Sequence, residues 1–361
     1  MPGMVKLGQM ERERMSEKRT RRGGEGRIGI RDVARDAGVS VATVSRTLAG
    51  DGYPVSDEAR RKVLESVKKL NFVPNDLARG LTQSRTNTVG VIVPNLVNLY
   101  YARVVIGVEE IAAQNGISII FCNTNHNIAK REQDINLLLQ KRVDGIIICG
   151  SGTDYESGSG RLANGNAPFV VLGRNERLDY PSVHADNFRA GYRATQHLVD
   201  LGHRQFLFLG GPEKWPDGSD RIAGFKACLA ENDIEFQQDM LLFGDFAEEN
   251  AYQRVLHLGR NFPATAVLAG NDRIALGGMA AVVDLGLRIP DDVAFVGFDN
   301  IATSHYLRPS LTTMDMPARL IGAEGMRVLL RIIAGETVAS RTVFEADLLV
   351  RQSSGGTRLQ A

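Results

Sequence analysis

Ile30-Arg31-Asp32-Val33-Ala34-Arg35-Asp36-Ala37-Gly38-Val39-Ser40-Val41-Ala42-Thr43-Val44-Ser45-Arg46 reads as two short helices joined by a turn. Ile30, Val33 and Ala34 recur at helical spacing and mark the inner face of the first helix. Gly38 accepts the left-handed backbone without steric cost, which places the turn at Ala37-Gly38-Val39. Ser40 is positioned to cap a second helix that turns Val44 and Leu48 inward. After a loop holding Asp51, Gly52 and Pro54, Ser56 opens a third helix. Asp57 and Glu58 supply the acidic first turn that the helix dipole favours. The apolar stripe of that helix is Ala59, Val63, Val67 and Leu70.

Two helices joined by a turn of about four residues form a helix-turn-helix. Its second helix lies in the major groove of DNA, with the residues near its N-terminus meeting base edges. Val41 and Ala42 then offer small apolar groups to a thymine methyl. Arg46, one turn on from Ala42, offers a guanidinium to guanine O6 and N7, a contact worth roughly 1–3 kcal/mol of discrimination. Ser40, Thr43 and Ser45 carry hydroxyls suited to phosphates, contacts that position the helix without reading sequence. Charge supports this placement. Residues 1–86 hold 18 Lys/Arg against 11 Asp/Glu, a net +7, whereas residues 87–361 hold 25 against 31. A basic front end suits a polyanion. Residues 1–27, poor in large apolar side chains, read as a disordered tail.

From residue 89 the pattern becomes strands alternating with amphipathic helices. Strands are expected at 89–93, 117–122, 145–149, 169–172, 206–209, 266–269 and 293–296, with a further strand ending at Asp186-Asn187. Helices are expected at 104–114, 190–201, 221–231 and 274–285. This alternation predicts parallel sheets flanked by helices, and its length predicts two α/β lobes over 89–355. Ligands of such sheets bind beyond the carboxyl ends of the strands, so the cleft between the lobes is the expected site. Other classes find little support. Cys122, Cys149 and Cys228 are widely spaced, with no metal-ligand or disulfide pattern, and fit a reducing cytoplasm. No apolar run approaches membrane-spanning length, and no secretory signal opens the chain. No catalytic triad, metal cluster or cofactor loop stands out, so neither an enzyme nor a cofactor is expected.

The string from Asp32 to Arg46 resembles the helix-turn-helix of the lactose-repressor/galactose-repressor family of bacterial transcription regulators. Asn71-Phe72-Val73-Pro74-Asn75-Asp76-Leu77-Ala78-Arg79-Gly80-Leu81 is similar to that family's hinge segment. The resemblance implies an N-terminal helical DNA-binding domain at 28–73 and a hinge helix and linker at 74–88. A two-lobed domain like a periplasmic binding protein, effector-binding and dimerising, is implied at 89–355. It further implies that the hinge contacts DNA through Asn75 and Ala78 while Leu81 wedges into the minor groove, and that a homodimer reads a pseudopalindromic operator as a repressor. Ala49 departs from the family's usual Asn.

Matched to the family's effector positions are Tyr100, Tyr101, Asp186, Trp215, Arg221, Phe246, Asn271 and Asp299. Their chemistry suits a polyol. Asp186, Asn271 and Asp299 share hydrogen bonds with hydroxyls, Arg221 donates a fixed fork, and the aromatic rings wall a sugar. Asn271 reads equally well as a helix cap, and Asp186 has the cap as its second reading; Arg174 reads first as a solvated surface residue and second as a partner for a phosphate or carboxylate. A sugar ranks first as effector; a purine, a nucleoside or a phosphoprotein co-regulator remains open.

Overall fold

The computed structural model describes residues 28–49, 54–73, 85–150, 167–174, 180–260 and 262–355. The tail at 1–27, the hinge residues Asn75, Ala78 and Leu81, and most of the loop with Asp51 and Gly52 lie outside the described residues. The chain divides into two compact units, residues 1–83 and 84–361.

The first unit holds helices α1 (Ile30–Ala37), α2 (Val41–Ala49) and α3 (Asp57–Lys69). Each helix start follows from a local partner. The carboxylate of Asp32 accepts from Gly29 N at 3.0 Å, Ser40 Oγ accepts from Thr43 N at 3.0 Å, and Ser56 Oγ accepts from Ala59 N at 3.3 Å. α1 stops at Gly38, whose φ of 66° is left-handed. Val33, Ala34, Ala37, Val44 and Val63 form the core, with Leu48, Val67 and Leu70 packed partly buried around it. Ser66 joins them unannounced by the apolar stripe, its hydroxyl donating to the Val33 carbonyl at 3.3 Å.

The second unit holds two six-stranded sheets. The first lobe comprises β1 (Thr88–Val93), β2 (Ser118–Asn123), β3 (Gly145–Cys149), β4 (Phe169–Leu172), β5 (Ser182–Ala185) and β11 (Arg341–Phe344). They run parallel in the order β11-β5-β4-β3-β1-β2. The second comprises β6 (Phe206–Leu209), β7 (Leu241–Leu242), β8 (Ala266–Ala269), β9 (Ala294–Phe298), β10 (Thr312–Asp315) and β12 (Asp347–Leu349). Its order is β12-β10-β9-β8-β6-β7, and β12 alone runs antiparallel to its neighbour. Strands β7, β10, β11 and β12 add to those expected from the sequence. β7 spans two residues, and β11 and β12 are half-exposed edge strands of only four and three residues. β10 buries Thr312 and Thr313, whose hydroxyls find distant partners in Ser354 and Asp272.

The chain crosses between the lobes after β5, after β10 and after β11. Helix α6 (Asn187–Asp200) follows first-lobe β5 yet packs in the second lobe, against α7 (Pro216–Glu231). Helix α11 (Ala318–Ile333) follows β10 and returns to pack on α4 (Leu99–Gln114) in the first. Glycine makes both helix pairs close. A Cβ on Gly107 would stand 2.0 Å from the Arg319 carbonyl oxygen, and one on Gly224 would stand 2.0 Å from that of Phe188. Gly191 meets the backbone of Arg221 in the same way, which sets Arg221 beside the start of α6.

Candidate functional site

Two surfaces gather the residues singled out by sequence. On α2, Val44 is fully buried while Val41, Ala42, Ser45 and Arg46 are exposed, with Thr43 half-buried beside them. The helix therefore turns one apolar stripe inward and presents the opposite face, with Arg46, to solvent. Ser40 is also exposed, although its hydroxyl is engaged with Thr43 N and with Thr43 Oγ1 at 2.8 Å.

The second surface is a cleft of about 870 Å³, partly open to solvent. Its walls are the segments that leave the carboxyl ends of β1, β2, β4, β6, β7, β8, β9 and β10, together with β5. Tyr100, Tyr101, Trp215, Arg221, Phe246, Asn271 and Asp299 all line it. Asp186 is not among the lining residues: its carboxylate caps α6, accepting from Arg189 N at 2.9 Å, and the next residue, Asn187, faces the cleft. Asn271 does both, capping α9 (Asp272–Asp284) through Ile274 N at 2.9 Å while lining the wall.

All four helices expected from the sequence in this unit begin earlier than their apolar periodicity suggests, two of them by five residues. α4 starts at Leu99, capped by Asn98, so Tyr100 and Tyr101 lie in its first turn. α7 starts at Pro216, whose fixed φ suits a first helical position; Trp215 precedes it directly and Arg221 sits within it. The polar run Asp217-Gly218-Ser219-Asp220 had hidden this turn. Asp217, four residues before Arg221, lies on the same helical face and also lines the cleft.

Arg221 is the centre of the polar wall. Its side chain is 11% exposed, and its Nε donates to Asn187 Oδ1 at 2.8 Å. Its Nη1 donates to the Gly270 carbonyl, and the guanidinium lies 4.6 Å above the Phe298 ring and 3.9 Å from Asp299 Oδ1. Asp299 is 5% exposed at a left-handed φ of 105°. Burial pushes its carboxyl up to about 6, against the opposing pull of Arg221 and a hydrogen bond from Asn98. Behind it, burial and the Asp299 charge push Asp272 up to about 7, although Ser304 Oγ, Thr313 Oγ1 and Ile301 N all donate to its carboxylate.

First-lobe groups complete the cleft, and sequence reasoning missed them. His126, at the left-handed end of the segment after β2, stacks on second-lobe Phe246 with centroids 5.5 Å apart and meets Trp215 edge-on at 5.9 Å. Burial, then the charge of Arg273, lowers its imidazole pKa. His184 on β5 also lines the wall. Arg103 on α4 reaches across to the second lobe, donating to the carbonyls of Asp299 and Asn300 at 3.1 Å and pairing with Asp315 at 3.3 Å. None of these stands in a local motif. Arg174 is not a solvated surface residue: it is one-third exposed and pairs with Asp220 at 2.8 Å, because β4 delivers it against α7. Among the described residues no cluster of side chains suits a metal, and no helix is long and apolar enough to cross a membrane.

Comparison with known proteins matches residues 29–75 to "Bacterial regulatory proteins, lacI family" and residues 86–351 to "Periplasmic binding proteins and sugar binding domain of LacI family". Catabolite control protein A of Priestia megaterium is 36% identical over 319 residues, 88% of this chain and 96% of that protein. Among solved structures, a Lac repressor dimer bound to operator and the anti-inducer ONPF aligns with a TM-score of 0.82 at 28% identity, over 91% of this chain and 99% of that one. A complex of the transcriptional regulator CelR with cellobiose aligns with a TM-score of 0.69 at 29% identity, over 91% and 100%. With both of its units matched in order, the chain belongs to the lacI family of bacterial regulatory proteins.

Proposed function

We propose that the protein is a cytoplasmic, homodimeric repressor that binds a pseudopalindromic operator through α2 and is controlled by a neutral polyhydroxylated effector, a sugar first of all, in the cleft. The family supports the regulatory role, and the exposed face of Val41, Ala42, Ser45 and Arg46 supports the mode of DNA reading. Ser40, Thr43 and Ser45 are assigned to phosphates, Val41 and Ala42 to a thymine methyl, and Arg46 to a guanine.

The observation that carries the effector's class is how the cleft's cations are spent. Arg221 is bound to Asn187, to the Gly270 carbonyl and near Asp299, and Arg273 makes a two-point pair with Glu248. Both lining arginines already face a carboxylate, Asp299 for Arg221 and Glu248 for Arg273, which favours a neutral ligand over a phosphate or carboxylate; Arg221 Nη2 can still donate to a hydroxyl, and Asp217, Asp299 and Asn271 offer acceptors. The aromatic walls of Tyr100, Trp215 and Phe246 also favour a nucleoside as the second reading. Such an arrangement holds and orients a ligand, and we assign it binding rather than catalysis.

The test is selection of random duplex DNA on the full-length protein, followed by anisotropy titration. Convergence on a two-fold symmetric site, with Arg46→Ala relaxing preference at one base pair per half-site, is the expected result. No enrichment, or an Arg46→Ala protein of unchanged preference, contradicts it.

A further inference from the structure

We infer that His184 is a specificity-determining effector contact: its Nε2 accepts a hydrogen bond from one ligand hydroxyl, on the lobe opposite Arg221. The inference rests on the effector reading above. Buried, unpartnered side-chain polar atoms are few among the described residues: they belong to Thr47, Asn123, Glu132, His184 and Arg254, and of these only His184 lines the cleft. Buried polar atoms are normally satisfied, and an exception asks for the group that completes it.

The ring's other nitrogen fixes what that group must be. Nδ1 lies 3.0 Å from the Ala185 carbonyl oxygen, which can only accept. Nδ1 therefore carries the proton in the neutral ring, and Nε2 presents a lone pair. The missing partner is a donor, a hydroxyl or an N–H. The same Ala185 carbonyl accepts from Asn187 Nδ2 at 3.2 Å, and Asn187 Oδ1 in turn accepts from Arg221 Nε at 2.8 Å. One chain of hydrogen bonds thus orients His184 on β5 and Arg221 on α7. A ligand that donates to Nε2 while it meets Arg221 and Asp299 joins the two lobes. A site built to bond a particular hydroxyl discriminates strongly against the analogue lacking it.

The test titrates the full-length protein calorimetrically with D-ribose, D-glucose, cellobiose and adenosine. The probe that binds best is repeated on His184→Phe and His184→Leu, which lack the acceptor, and on His184→Gln, which keeps one. Its monodeoxy analogues are then titrated against wild type and the folded apolar variant. Expected are a tenfold or greater loss of affinity in the apolar variants, recovery in His184→Gln, and one deoxy analogue that weakens binding to wild type but not to the apolar variant. A purely structural role would not produce that last pattern. Unchanged affinity in the apolar variants, or deoxy penalties equal in wild type and variant, overturns the inference and leaves the effector reading standing. Binding of none of the four probes overturns both.

Discussion

Replacing Arg103 with Met removes the guanidinium that ties α4 to the second lobe while keeping most of the apolar stem. Two hydrogen bonds at 3.1 Å are lost to the carbonyls of Asp299 and Asn300, together with the pair to Asp315. Arg103 and Asp315 are 33% and 35% exposed, so solvent screens the pair, which is worth about 0.2–1 kcal/mol. Each hydrogen bond adds about 1 kcal/mol at this exposure. Together they hold the lobes by roughly 2–3 kcal/mol, about a forty- to hundredfold shift between closed and open cleft. The chain has one tryptophan, and Trp215 stands at the cleft mouth against His126 and Gly150 of the first lobe. Its emission therefore reports closure. Arg103→Met shifts that emission towards the solvent-exposed value. Asp315→Asn produces a smaller shift, and the double variant matches Arg103→Met alone because the pair is a single interaction. Additive effects of the two substitutions, or an unchanged Trp215 spectrum in a variant whose urea midpoint has fallen, refute the clamp.

Burial holds the Asp299 carboxyl up at about 6. A hydroxyl donating to it favours the ionised form, so binding releases a proton and effector affinity falls as pH drops through about 6 and levels off above about 7; calorimetry at several pH values checks this, and a flat profile contradicts it. Gly107→Ala drives a methyl into the Arg319 carbonyl, which backbone cannot yield, and costs about 3 kcal/mol in urea unfolding of the second unit. Ser40→Ala removes the cap on Thr43 N and costs the helical unit about 1 kcal/mol, seen as faster amide exchange in α2. Arg221→Ala strips Asp299 of its nearby cation and abolishes effector binding, whereas Asp186→Asn, which alters only a helix cap, keeps affinity within about twofold of wild type.

How much was legible depended on how local the cause was. The helical unit is specified by neighbours in sequence, Gly38 for the turn and Ser40 and Ser56 for the caps, so its helices could be read directly. β1, β3, β6 and β8 are short buried runs and were equally legible. β10 was not, because Thr312 and Thr313 become core residues only through hydroxyl partners some forty positions away. The site divides in the same way. Arg221 and Asp299 stood out through resemblance and chemistry, but His126, His184 and Arg103 act from the opposite lobe, where only the three crossings bring them into reach. Asp186 and Asn187 show the limit of local reading. Both polar side chains follow one strand; one caps the helix and the other faces the cleft.

In the proposed function, occupancy of the cleft governs the grip of α2 on DNA. The direct measurement is the affinity of the full-length protein for its selected operator, by anisotropy at fixed salt, with and without the neutral ligand that raises its melting temperature. Expected is an operator affinity shifted about tenfold or more by that ligand in wild type and unmoved in Arg221→Ala. An operator affinity indifferent to a ligand that demonstrably occupies the cleft would contradict it.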